Sequence, residues 1–77
     1  MPSAYVLINC TLGSDKEIIS RLMEIPLVIQ AYQVYGAYDI IVRVAAGTVE
    51  KLQQALKSDL KRLDNILSTV TLVTKEI

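Results

Sequence analysis

Apolar residues along this chain keep two different periods, and the switching between those periods outlines the fold. Ala4 to Cys10 is a short apolar run rich in β-formers, closed by Thr11-Leu12-Gly13, and it predicts a first strand. Ile18, Ile19, Leu22, Met23 and Ile25 then recur at helical spacing until Pro26 ends the pattern. Leu27 to Tyr35 and Asp39 to Ala46 predict the second and third strands. Val49, Leu52, Leu56, Leu60 and Leu63 form the stripe of a second helix, with Lys51, Lys57, Asp59, Lys61 and Arg62 off it. Asp64-Asn65 breaks that helix, and Ile66 to Thr74 predicts a fourth strand in which threonines alternate with apolar residues. The helix starts are marked as well. Ser14 and Glu17 have the spacing of a capping box, and Thr48 stands where the second helix needs its N-cap.

The resulting order, βαββαβ over residues 1–77 with no repeat or linker, predicts a single α+β domain. Right-handed crossovers leave few other ways to join these elements than the ferredoxin-like arrangement, an antiparallel sheet with both helices on one face. On the third strand Ile40, Val42 and Val44 share one face, the expected helix-packed core, and Asp39, Ile41, Arg43 and Ala45 share the other. The first strand is apolar on both faces, with Val6, Ile8 and Cys10 on one and Tyr5 and Leu7 on the other. The second strand likewise puts Leu27 and Ile29 on one face and Val28, Tyr32 and Val34 on the other. Strands apolar on both sides are strands buried on both sides. The face without helices is therefore expected to be covered by a second copy, making the chain a homodimer at least.

Charge and composition narrow the function. Eight basic and eight acidic residues cancel, which removes the surplus of Lys and Arg that binding to nucleic acid or to a membrane surface requires. Neither partner is expected, and no apolar run approaches the roughly 18 residues that cross a bilayer. The single cysteine, Cys10, excludes an intrachain disulfide and fits a reducing compartment, and no basic segment precedes the first apolar run. A cytoplasmic location is expected. Histidine is absent, and neither a metal-ligand cluster nor a glycine-rich phosphate loop is visible, so no cofactor and no metal are expected.

Candidate chemistry concentrates at Tyr35-Gly36-Ala37-Tyr38-Asp39, between the second and third strands. Glycine lets the backbone turn at positive φ, Asp39 offers a carboxylate at the mouth of an apolar strand, and Tyr35 and Tyr38 offer ring surface with a polar tip. Backbone N–H groups of such a turn can hold a carboxylate while Asp39 accepts from an ammonium group. On the last strand Thr69 and Thr71 alternate onto one face and present two hydroxyls. Each of these features has a plain structural alternative: a turn glycine, an aspartate that tightens its hairpin, interface tyrosines, and threonines chosen as β-formers.

The element order, the Gly36-Ala37-Tyr38-Asp39-Ile40 turn and the Thr69-Val70-Thr71 stretch together resemble the effector-binding (RAM) domain of the Lrp/AsnC family of transcription regulators, over residues 4 to 76. The resemblance implies regulation rather than catalysis. It also implies dimers packed sheet to sheet, higher rings such as octamers, and a small effector, typically an amino acid, held between dimers. The residues it points to are Tyr35, Gly36, Ala37, Tyr38 and Asp39 from one subunit and Ser68, Thr69 and Thr71 from another. Regulators of the family begin with a DNA-binding helix-turn-helix domain, whereas here the first strand starts close to Met1, so a stand-alone effector module is expected, with full-length regulators as potential co-assembly partners. Two other classes compete. One is a small dimeric enzyme on the same fold, of the monooxygenase or isomerase kind, which would need Asp39 strongly shifted to serve as a base near neutral pH. The other is a structural platform for full-length regulators.

Overall fold

A computed structural model describes residues 2–74. The elements are β1 (Ser3–Cys10), α1 (Asp15–Leu22), β2 (Val28–Gln33), β3 (Ile40–Ala45), α2 (Val49–Ser58), a short 3₁₀ turn (Leu60–Arg62) and β4 (Ile66–Val73). The strands form one four-stranded sheet in the order β2-β3-β1-β4, antiparallel throughout. This is the ferredoxin-like fold expected from the element order. No helix among the described residues is long and apolar enough to cross a membrane.

The even-numbered positions of the central strands make the core. Val6 pairs with Val42 and Ile8 with Ile40 across β1 and β3, and all four are buried. Ile18 and Leu22 of α1 and Leu52 of α2 close over them. Burying side chains of this size contributes about 1.5–3 kcal/mol each, and in so small a chain these few residues decide whether the domain folds. The odd-numbered positions, Tyr5, Leu7, Ile41, Arg43 and Ala45, lie on the face that carries no helix.

Several local expectations change. β2 contains a bulge between Val28 and Gln30, where two residues stand against one step of β3. Val28 therefore turns toward the core opposite Val44, and Ala31 follows it opposite Val42, instead of Val28 sharing a face with Tyr32. The helix patterns also run past their helices. α1 ends at Leu22, and Glu24 and Ile25 donate backbone N–H groups to Arg21 and Leu22 in tightened turns that keep Ile25 against the core. α2 stops at Ser58 with Asp59 as its C-cap, so Leu60 and Leu63 pack from the 3₁₀ turn and its exit, while Val49 is exposed. Asn65, at φ 70°, sets the turn into β4.

The caps divide. Thr48 accepts from the Lys51 N–H as an N-cap should. Ser14 does not cap α1 with its side chain. Its hydroxyl donates to the Thr11 carbonyl at 2.6 Å and accepts from the Thr11 hydroxyl at 3.0 Å, drawing the β1–α1 loop closed.

Candidate functional site

The connection between β2 and β3 is a loop, not the tight turn predicted. Val34 donates its N–H to the Asp39 carbonyl at 2.9 Å, closing the loop over residues 35–38. Gly36 adopts φ +127°, a conformation that side-chain-bearing residues rarely take, and a Cβ built there would meet nothing within 4 Å. Glycine is required here by the backbone and not by a neighbour. Tyr35 projects fully into solvent, Ala37 is exposed and Tyr38 is half-buried.

Asp39 precedes β3 instead of lying within it, and it is tied to β1 twice. Its N–H donates to the Ile8 carbonyl at 2.9 Å, and its Oδ2 accepts from the Cys10 N–H at 2.9 Å. The second bond satisfies a backbone donor where the β1–β3 ladder runs out. Asp39 thus caps the end of β1 with its side chain and closes its own hairpin with its backbone carbonyl. Its Oδ1 takes no hydrogen bond among the described residues.

Beside Asp39 is a cleft of about 160 Å³ lined by Cys10, Thr11, Leu12, Gly13, Asp15 and Asp39. Asp15 opens α1. The fold sets it at this cleft, where its Oδ2 accepts from Gln33 Nε2 at 3.0 Å. Two carboxylates at one cleft favour an amino or other cationic group. Burial pushes the Cys10 thiol above its ordinary range, and the negative charges of Asp39 and Asp15 push it the same way, against the lowering influence of the nearby Ser14 hydroxyl. The thiol is thereby kept neutral and unreactive.

The β4 candidates lie elsewhere. Thr69 pairs with Ile8 and Thr71 with Val6, so both hydroxyl-bearing side chains are on the helix side of the sheet, while Ser68, opposite Asn9, is on the other side. All three border a groove of about 410 Å³ between β4 and the end of α2, floored by Leu56, Leu60 and Leu63. β1 separates β3 from β4, so Asp39 and Thr69 stand two strand spacings apart, about 10 Å. Within one subunit the eight sequence-nominated residues therefore fall into two groups. Asp15 and the apolar floor of the groove were not nominated, because only the packing of α1 and α2 against strand ends reveals them.

The model of the Lrp/AsnC ligand binding domain matches residues 3–77. The chain belongs to that family. Among curated proteins, the HTH-type transcriptional regulator FL11 of Pyrococcus furiosus is 30% identical over 53 residues, which is 69% of this chain and 35% of the regulator. The chain thus spans about a third of the length of that relative. A crystal structure of a hypothetical protein from Pyrococcus horikoshii superposes with a TM-score of 0.93 at 31% identity, covering 100% of this chain and 93% of the other. AsnC of E. coli superposes with a TM-score of 0.87 at 25% identity, with 99% of this chain matched to 52% of that one. The Lrp/AsnC family is one of transcription regulators and not of enzymes.

Proposed function

We propose that this Lrp/AsnC domain binds a small amino-bearing effector, an amino acid by preference, and acts in regulation by coupling that ligand to assembly. The observation that carries the reading is Asp39. One carboxylate oxygen is anchored by the Cys10 N–H, and the other is free of hydrogen bonds among the described residues, beside a cleft that Asp15 also lines. An anchored carboxylate with a spare acceptor can receive an ammonium group at little cost in side-chain entropy. The neighbouring Gly36 loop, exposed and held open by its backbone conformation, offers N–H groups to the carboxylate end of the same ligand.

The site is completed between subunits. Tyr5, Tyr32, Val70 and Leu72 leave substantial apolar surface exposed on the helix-free face, which supports a sheet-to-sheet homodimer that assembles further into a ring. Ser68, Thr69 and Thr71 of a neighbouring subunit then supply hydroxyls that no single subunit brings to Asp39. The same face would admit a full-length regulator carrying this domain in place of a second copy.

The test is a thermal-shift screen against a panel of amino acids, followed by calorimetry on the wild type and Asp39→Asn. A ligand at 100 times its Kd should stabilise the assembly by about 2.7 kcal/mol. The asparagine variant keeps an acceptor for Cys10 but loses the charge, and it should bind at least tenfold more weakly. A panel that leaves the melting temperature unmoved, or equal affinity for both proteins, overturns the reading.

A further inference from the structure

We infer that the groove between β4 and the end of α2 binds an aliphatic monocarboxylate, its chain on the leucine floor and its carboxylate at Lys57, Thr69 and Thr71. The site lies within one subunit and does not depend on the effector reading at Asp39.

The groove exists because two layers that meet elsewhere in the domain part here. On the helix side of the sheet β1 and β3 present Val6, Ile8, Ile40 and Val42, all fully buried. β4 continues that layer with Thr69 beside Ile8 and Thr71 beside Val6, and both threonines are exposed. α2 presses down on the sheet at Leu52, which is fully buried. Leu56, Leu60 and Leu63, farther along the same stripe, are only partly buried. A space of about 410 Å³ is left between them and β4. Small-molecule sites run from about 300 to 1,000 Å³.

The walls of this space differ in chemistry, and the difference selects the ligand. The floor is hydrocarbon from Leu56, Leu60, Leu63 and Ile66, which an alkyl chain would cover with release of water. The β4 wall offers hydroxyls. Ser68 already accepts from Asn9 Nδ2 at 3.4 Å, and Thr74 is bonded to Ser3. The hydroxyls of Thr69 and Thr71 take no hydrogen-bond partner among the described residues. Of the described residues that line the groove, Lys57 carries the only charge, and it is positive. One cation and two spare donors above a hydrocarbon floor complement a carboxylate on an alkyl chain. An alkylamine would bring like charge to Lys57, and a second carboxylate would be set unpaired against leucine. A hydroxyl donates once and accepts twice. Thr69 and Thr71 can therefore donate to this carboxylate and still accept from an ammonium group that another subunit presents.

Calorimetry on the full chain with butanoate, hexanoate, octanoate and octylamine tests this. Octanoate should saturate a single site per chain, and affinity should rise by about fourfold for each methylene from butanoate to octanoate. Octylamine should bind more weakly than octanoate by about tenfold or more. Lys57→Met keeps an apolar stem at an exposed position, so it should weaken octanoate to the same degree while melting near the wild-type temperature. Asp39→Asn should leave octanoate binding as in wild type, which separates failure of this site from failure of the effector reading. An affinity that ignores chain length overturns the proposal, because it reports only an anion on a surface lysine. Equal binding of octanoate and octylamine overturns it too, as adsorption to exposed leucine. Loss of octanoate binding in Asp39→Asn does the same by moving the carboxylate to the other site. Should Lys57→Met fold poorly, Thr69→Val, which removes a hydroxyl at constant shape, and the octylamine comparison on the wild type decide.

Discussion

The Oδ2 atom of Asp39 accepts a hydrogen bond from the backbone N–H of Cys10 at 2.9 Å, joining the start of β3 to the end of β1. One side chain thereby completes the sheet and positions a carboxylate at a cleft. Asp39→Ala should lower stability by about 1.5–3 kcal/mol, the scale of a hydrogen bond to a charged group whose loss leaves an unsatisfied donor. Asp39→Asn should lose less, because its amide oxygen can still accept. Chemical denaturation of the two variants beside the wild type checks the order, and an alanine variant as stable as wild type would show that water replaces the carboxylate at no cost.

Gly36→Val should destabilise by about 1–2 kcal/mol, since it places a β-branched residue at φ +127°. Open space surrounds the added Cβ, so no packing clash adds to this, and Gly36→Ala should cost nearly as much as valine. Melting curves of both variants are the measurement. A much larger penalty for valine than for alanine would point to a steric neighbour and not to the backbone.

Cys10 gives the domain a pH dependence on the alkaline side. Burial holds its thiol above the range of an unfolded cysteine. In the folded chain the neutral form is favoured, so this contribution is fully present below the unfolded thiol's range and is lost as pH rises through the folded one. Stability should decline at alkaline pH, and Cys10→Ala should flatten that decline. Titrating the denaturation midpoint upward from neutral pH in both proteins tests the sign. The same neutral thiol should react slowly with a thiol reagent at pH 7 unless the chain is unfolded first.

Thr48→Ala should cost about 1 kcal/mol through loss of the hydroxyl that accepts from the Lys51 N–H. Ser14→Ala should act differently, because Ser14 braces the β1–α1 loop through Thr11 and leaves the first turn of α1 without a side-chain cap. Its effect should appear as faster hydrogen exchange at Ser14 and Ile18, the amides that the loop and first turn hold. Equal loosening of that turn by both mutations, each at its own helix, would show that Ser14 is a cap after all.

Local pattern was sufficient for the order of elements, the core face of β3, and the positive φ of Gly36, because alternation, helical spacing and glycine's missing Cβ are properties of short segments. Ile40, Val42 and Val44 could be assigned to the core from their parity, whereas β1 is apolar on both faces and only its pairing with β3 places Val6 and Ile8 there. Parity failed at Val28, where the bulge inserts a residue that period-two counting cannot anticipate. Helix spacing likewise overran α2, since Leu60 and Leu63 satisfy the same stripe from a 3₁₀ turn and its exit. The candidate site was legible as a set of residue types but not as a place. Only the sheet order β2-β3-β1-β4 sets Asp39 against Cys10 and Asp15 while leaving Thr69 and Thr71 beyond β1. That order is decided by which strands pair over long sequence separations, and a pairing of that kind leaves no mark in the spacing of residues along the chain.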